Sequence, residues 1–135
     1  MEPTRVFAVI SLITLPAVMF GGYSLRRFME RGPQLSAFQR IYFRAGHAHA
    51  GVLTVLSLVY YQYLDQTTFD DGWKWLACAV IAVGILAQSG GFFLHMAVGE
   101  EGRPSTGTLV TSIGAVLLAA AVLFLAYGLV WQYPR

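Results

Sequence analysis

The sequence predicts an all-α integral membrane protein, a four-helix bundle forming one transmembrane domain over all 135 residues. Hydrophobic residues make up 56% of the chain and charged residues 12%, whereas soluble domains carry about 25% charged residues. Four uncharged windows follow one another: Val6–Leu25, Ala45–Tyr63, Trp75–Gly99 and Pro104–Pro134. Because about 20 apolar residues are enough for a helix to cross the hydrocarbon layer, each window predicts one crossing.

The first two helices are expected over about 5–28 and 37–65. The first window shows no convincing small-x-small cleavage site, so we expect a retained helix rather than a signal peptide. Pro16 lies in its interior and should bend it or loosen one turn. Ser36 and Gln39 have the S-x-x-Q spacing of a capping box, which predicts that the second helix begins just after Ser36.

The third and fourth helices are expected over about 71–98 and 105–132. Gly99 follows the third apolar window and is expected to end that helix. Pro104 and Ser105 come just before the fourth window, and these residue types favour the first positions of a helix.

The distribution of basic residues predicts the orientation. Four crossings place both termini on one side of the membrane, and that side carries Arg5, Lys74 and Arg135. The positive-inside rule assigns the more basic side to the cytoplasm. We therefore expect a multi-pass protein of the bacterial inner (plasma) membrane with N- and C-termini outside. The basic residues of the opposite side are Arg26, Arg27, Arg31, Arg40, Arg44 and Arg103.

Three histidines are expected at similar depth in the membrane. His47 and His49 follow the cytoplasmic start of the second helix by about two turns, and His95 precedes the cytoplasmic end of the third by about one turn. Ionisable residues within membrane helices are rare and usually functional. The sequence therefore points to a functional cavity near the cytoplasmic side.

Helical spacing divides these polar residues into faces. His47 and His49 point about 200° apart, and His47 shares its face with Arg44 and Gly51. The polar and small character of that face favours the interior of the bundle. A cavity between the second, third and fourth helices is thus predicted, with these residues of the last two helices lining it: Gln88, Gly91, His95, Thr108, Thr111 and Ser112.

Imidazoles in such a cavity suit haem b or copper, since neutral histidine is a common ligand of both. The leading interpretation makes His47 and His95 the axial pair of a haem, for electron transfer or sensing. Arg44 would meet a propionate, and Gly51 and Gly91 would give clearance to the flat ring. His49 is the alternative ligand or part of a copper site. No C-x-x-C-H sequence occurs, so covalent attachment of a c-type haem is excluded.

Two interpretations without a cofactor remain open. The cavity could bind a small anionic or lipid-like ligand, or serve transport, through Arg44, His47, Gln88 and His95. The chain could instead be an accessory subunit of a larger membrane complex, in which its glycines serve close helix packing. No nucleophile–base pair or phosphate loop points to an enzymatic reaction. The expected partners are the lipid bilayer and further copies of the chain or other membrane subunits, and no nucleic acid.

The segment "GHAHAGVLTVLSLV" resembles the H-x-H helices of small four-helix bacterial membrane proteins. More distantly it is similar to the catalytic subunit of haem-copper oxidases and to haem- and copper-containing membrane proteins of the nitric-oxide response. The flanking "GGYSLRRF" and "GGFFLHM" share the likeness loosely. The resemblance implies that His47, His49 and His95 are haem or copper ligands. With three histidines and a third of the oxidase helices, one copy cannot assemble a full haem-copper centre.

Overall fold

The computed structural model describes residues 1–30 and 35–131, apart from the side chains of residues 28 and 29. The described residues form four α-helices: α1 (Pro3–Glu30), α2 (Ala37–Asp65), α3 (Asp71–Val98) and α4 (Thr106–Trp131). No strand occurs among them. The predicted fold class, an all-α membrane bundle of four helices, is confirmed.

Side-chain caps explain where α2, α3 and α4 begin. At α3, Oδ1 of Asp70 accepts a hydrogen bond from the N–H of Trp73 at 3.1 Å. The Oγ of Ser36 accepts a hydrogen bond from the N–H of Gln39 at 3.1 Å, and Oε1 of Gln39 accepts one from the N–H of Ser36 at 2.9 Å. The predicted capping box of α2 is therefore confirmed. At α4, the Oγ of Ser105 accepts a hydrogen bond from the N–H of Gly107 at 3.1 Å. The predicted end of α4 at residue 132, together with Arg31 and Arg135, lies outside the described residues.

Three described helices are long and apolar enough to cross a membrane, over Pro3–Arg27, Asp71–Val98 and Thr106–Trp131. α2 has 29 residues and comparable length. Its hydropathy is lower because its interior carries polar side chains at His47, His49, Thr54 and Ser57. A crossing by α2, and with it the shared side of the two termini, stays a prediction.

Sequential helices run antiparallel to one another. Thr4 near the start of α1 contacts Asp65 at the end of α2, and Gly22 near the end of α1 contacts His47 near the start of α2. This order places the histidines at one end of the bundle and Asp65 at the other.

The best-packed part of the core lies toward the Asp65 end, between α2, α3 and α4. Cys78 and Leu64 are fully buried there, beside Tyr60 and Leu125. The hydroxyl of Tyr60 donates a hydrogen bond to the carbonyl oxygen of Ala121 at 3.1 Å. Many large apolar side chains point outward instead, among them Ile13, Leu86, Val116 and Leu123. Such a surface is stable only against hydrocarbon, so it supports a membrane location.

Candidate ligand site around the histidines

His95 lies where α2, α3 and α4 meet. Its side chain is 5% exposed, and Nδ1 lies 2.7 Å from the Oγ of Ser105, the residue that caps α4. The edges of the Tyr42 and Phe38 rings approach the imidazole with centroid distances of 4.3 and 5.3 Å. These contacts join the end of α3 to the beginning of α4, so His95 has a structural role in this arrangement.

The seam between α3 and α4 leaves no cavity beside Gly91. A Cβ atom on Gly91 would collide with Oγ1 and the backbone nitrogen of Thr111, and one on Gly107 would collide with the backbone of His95. One turn before Gly91 on α3, the backbone of Gln88 would collide in the same way with a Cβ atom on Gly114. The clearance expected for a flat cofactor beside Gly91 is thus filled by α4, and these glycines serve close helix packing.

Two hydroxyl groups expected in the cavity bond instead to the backbone of α4. Oγ1 of Thr108 accepts a hydrogen bond from the N–H of Ser105 at 3.0 Å, and lies 3.5 Å from Nδ1 of His95. The Oγ of Ser112 donates to the carbonyl oxygen of Thr108 at 3.0 Å. Polar side chains on α4 therefore contribute to capping and packing, which is the usual use of Ser and Thr in membrane helices.

His49 faces α3, where its ring lies 4.8 Å from the ring of Phe92. Nδ1 is 2.8 Å from the carbonyl oxygen of Ala45. A carbonyl oxygen only accepts, so Nδ1 of His49 carries a hydrogen and donates it to Ala45.

His47 faces the opposite side of α2, toward the glycine pair of α1. A Cβ atom on Gly22 would lie 2.7 Å from Nε2 of His47, and one on Gly21 would lie 3.5 Å from Nδ1. The ring of Phe43 stacks beside the imidazole with a centroid distance of 6.4 Å. Within residues 1–30 and 35–131, His47 makes no hydrogen bond through either ring nitrogen.

An apolar groove of about 410 Å³ begins at His47 and continues along α2. Gly51 and Ala48 line it with little side-chain bulk, while Val52, Val55 and Leu56 are exposed on its rim. The groove is open to the surface. Arg44, one turn before His47, is exposed and forms no ion pair with any residue described.

The expected axial pair is not brought together in one chain. His47 contacts α1 and Phe43, whereas His95 contacts α4, Tyr42 and Phe38. Among the residues that the structure describes, no group of three or more histidine, cysteine, aspartate or glutamate side chains could hold a metal ion. His47 and His95 therefore contact different neighbours and do not share one pocket.

Sequence reasoning missed the pairing of His47 with Gly21 and Gly22. The predicted cavity placed His47 against the third and fourth helices, whereas the structure places it against α1. A signal existed in the sequence: antiparallel α1 and α2 bring position 22 level with position 47, and paired glycines leave room for a large ring.

The fold and this site define a class of protein, a four-helix membrane protein with an imidazole beside an open apolar groove. No known family model, curated protein or solved structure matches the chain.

Proposed function

We propose that this protein binds haem b through His47, in the groove along α2, and serves electron transfer or sensing. One observation carries the proposal. Of the three histidines, His47 is the one whose ring nitrogens make no hydrogen bond to the described part of the chain. An imidazole without a partner is unfavourable in an apolar environment, and ligation of iron would remove that cost.

The walls of the groove suit a flat apolar ring with an acidic edge. Gly51 and Ala48 keep the face of α2 low beside His47, and Val52 and Val55 supply apolar contact. Arg44 lies one turn closer to the start of α2, where the helix leaves the apolar window. Its guanidinium could form charge-assisted hydrogen bonds with a propionate carboxylate.

A bound haem would supply reversible electron transfer or the binding of a diatomic gas. The chain would hold the iron through one imidazole, cover part of the ring with apolar side chains and neutralise a propionate. His47 would supply one imidazole from each chain to the iron.

The absorption spectrum of the protein purified in mild detergent tests the proposal. We expect a Soret band in the wild-type protein that is lost in His47→Ala. His49→Ala is the matched control, because it removes an imidazole two residues away on the opposite face of α2, and it should keep the band. A protein that is colourless after expression with excess haem contradicts the proposal. Loss of the band in His49→Ala alone would assign the iron to His49 instead.

A second candidate, favoured by the open rim of the groove, is a lipid-binding or accessory subunit without a cofactor. Val52, Val55 and Leu56 are exposed along this rim, so an acyl chain or a helix of another subunit could cover it. A colourless wild-type protein that yields copurifying lipid or a stable complex with another membrane protein, lost on Gly51→Leu, would favour this candidate.

A further inference from the structure

A polar cavity lies at the opposite end of the bundle from the histidines. It has a volume of about 270 Å³ and is bounded by the first turns of α1 and the last turns of α2, including Thr4, Arg5, Tyr61, Gln62 and Asp65. Oγ1 of Thr4 donates a hydrogen bond to Oδ1 of Asp65 at 2.9 Å. This bond fixes the two helix ends relative to each other and holds the carboxylate at the rim of the cavity.

Arg5 and Asp65 carry opposite charges and both line this cavity, but they do not form an ion pair with each other. The ion pairs within the described residues are Arg26–Glu30 and Arg103–Glu100, so Arg5 and Asp65 do not pair. The guanidinium of Arg5 has no hydrogen-bond partner in the described part of the chain. Since the two charged groups line one cavity and remain apart, a ligand that carries both charges could meet each of them.

The deep wall of the cavity is polar as well. Tyr61 is 2% exposed, and the Oγ atoms of Ser57 on α2 and Ser11 on α1 lie 3.1 Å apart. Lys74 approaches from the start of α3, where its Nζ donates to the backbone oxygen of Asp65 at 3.2 Å. A second cation thus lies near the rim and adds to the attraction for an anionic group.

The aromatic residues around this end indicate its level in the bilayer. Trp73, Trp75 and Tyr63 are all partly exposed there, and exposed Trp and Tyr gather at the headgroup level of membranes. A ligand with both charges at this level has the chemistry of a phosphate joined to a primary ammonium. Arginine binds phosphate through two parallel hydrogen bonds, and an ammonium donates hydrogen bonds to a carboxylate.

We propose that the cavity between the start of α1 and the end of α2 binds a phosphoethanolamine group, with the phosphate on Arg5 and the ammonium on Asp65. The group is either the headgroup of a membrane lipid or the free zwitterion. This site is separate from the groove at His47 and does not depend on haem binding.

Native mass spectrometry of the delipidated full chain in mild detergent tests this proposal. The protein is mixed with equal amounts of phosphatidylethanolamine, phosphatidylcholine and phosphatidylglycerol that carry the same acyl chains. We expect about tenfold more retained phosphatidylethanolamine than either other lipid. Each of the others lacks the ammonium N–H donors, and one missing charge-assisted hydrogen bond lowers affinity by about that factor. Competition by free phosphoethanolamine at similar concentration would identify the zwitterion as the ligand, and failure to compete would identify the lipid; either result supports the site.

Two variants and two matched controls assign the charges. Asp65→Asn keeps an acceptor for Thr4 and should abolish the preference for phosphatidylethanolamine. Arg5→Gln should lower the retention of all three lipids, because all three carry a phosphate. Asp71→Asn and Arg27→Gln remove exposed charges outside the cavity and should change nothing. Circular dichroism verifies that each variant is folded. Equal retention of the three lipids by the wild-type protein, or an unchanged preference in Asp65→Asn, overturns the proposal.

Discussion

At the scale of the residue, hydrogen bonding separates three histidines that lie close together in depth. His95 is bonded to Ser105, His49 to the carbonyl oxygen of Ala45, and His47 to nothing in the described part of the chain. No buried side-chain nitrogen or oxygen lacks a partner among the described residues, so the ring nitrogens of His47 are still accessible to a ligand. Only His47 would therefore gain a first partner by binding a ligand.

Two adjacent glycines of α3 provide a residue-scale prediction with an internal control. Nothing lies within 4 Å of a Cβ atom on Gly90, whereas one on Gly91 would collide with Thr111 and the backbone of Gly107. We expect Gly91→Ala to lower the free energy of unfolding by about 1–3 kcal/mol or more. Gly90→Ala should leave it unchanged or raise it by up to about 1 kcal/mol.

Unfolding in mixed micelles of increasing SDS, followed by circular dichroism, measures both variants. Equal midpoints for Gly90→Ala and Gly91→Ala would contradict the close approach of α3 and α4 at Gly91.

At the scale of the element, Ser105 links the end of one helix to the beginning of the next. Its Oγ accepts from the N–H of Gly107 and also bonds to Nδ1 of His95. Ser36, by contrast, caps α2 through a local bond to Gln39 and has no tertiary partner among the described side chains. The same residue type thus has a local role at α2 and a tertiary role at α4.

A double-mutant cycle tests this difference at the element scale. Ser36→Ala should cost about 1 kcal/mol, the usual value of a helix cap. Ser105→Ala should cost about 1 kcal/mol more, because the bond to His95 is lost as well. The double variant Ser105→Ala/His95→Ala should lose about 1 kcal/mol less unfolding free energy than the sum of the losses in the two single variants, as measured by SDS unfolding. Strict additivity would show that the two side chains are not coupled.

At the scale of the whole molecule, an apolar surface surrounds a bundle whose polar groups gather at two ends. His47 and its groove lie at one end, and Arg5 and Asp65 share a cavity at the other. Exposed residues such as Ile13, Leu86 and Val116 cover the sides. We expect burial of those sides in hydrocarbon to place each end of the bundle at one surface of the membrane.

Cysteine labelling tests whether α2 crosses the membrane and which end faces outward. In a Cys78→Ser background, we expect Glu2→Cys and Gln66→Cys to react with a membrane-impermeant maleimide in intact cells, while Gly102→Cys reacts only after lysis. The basic residues near the Gly102 side are the reason for this orientation. Labelling of Glu2→Cys and Gln66→Cys from opposite sides would show that α2 does not cross.

Local sequence patterns were sufficient to predict most helix boundaries. The described ends of the four helices lie within two residues of the expected positions, because uncharged windows and caps such as Ser36 act over only a few residues. The placement of the histidines toward one end of the bundle follows from the same reasoning. Their partners do not, since helical spacing shows that His47 and His49 face apart but does not indicate which neighbouring helix each one meets.

By itself, the sequence determined that this chain forms an all-helical membrane bundle with imidazoles near one end. Composition and periodicity predict where each helix lies and whether its surroundings are water or hydrocarbon, because both are properties of short segments. The tertiary structure decided that His95 joins α3 to α4, that Gly91 is closed by Thr111, and that His47 meets Gly22. These outcomes depend on how four helices rotate about their axes to pack, a choice made by all the interfaces together and by no single segment.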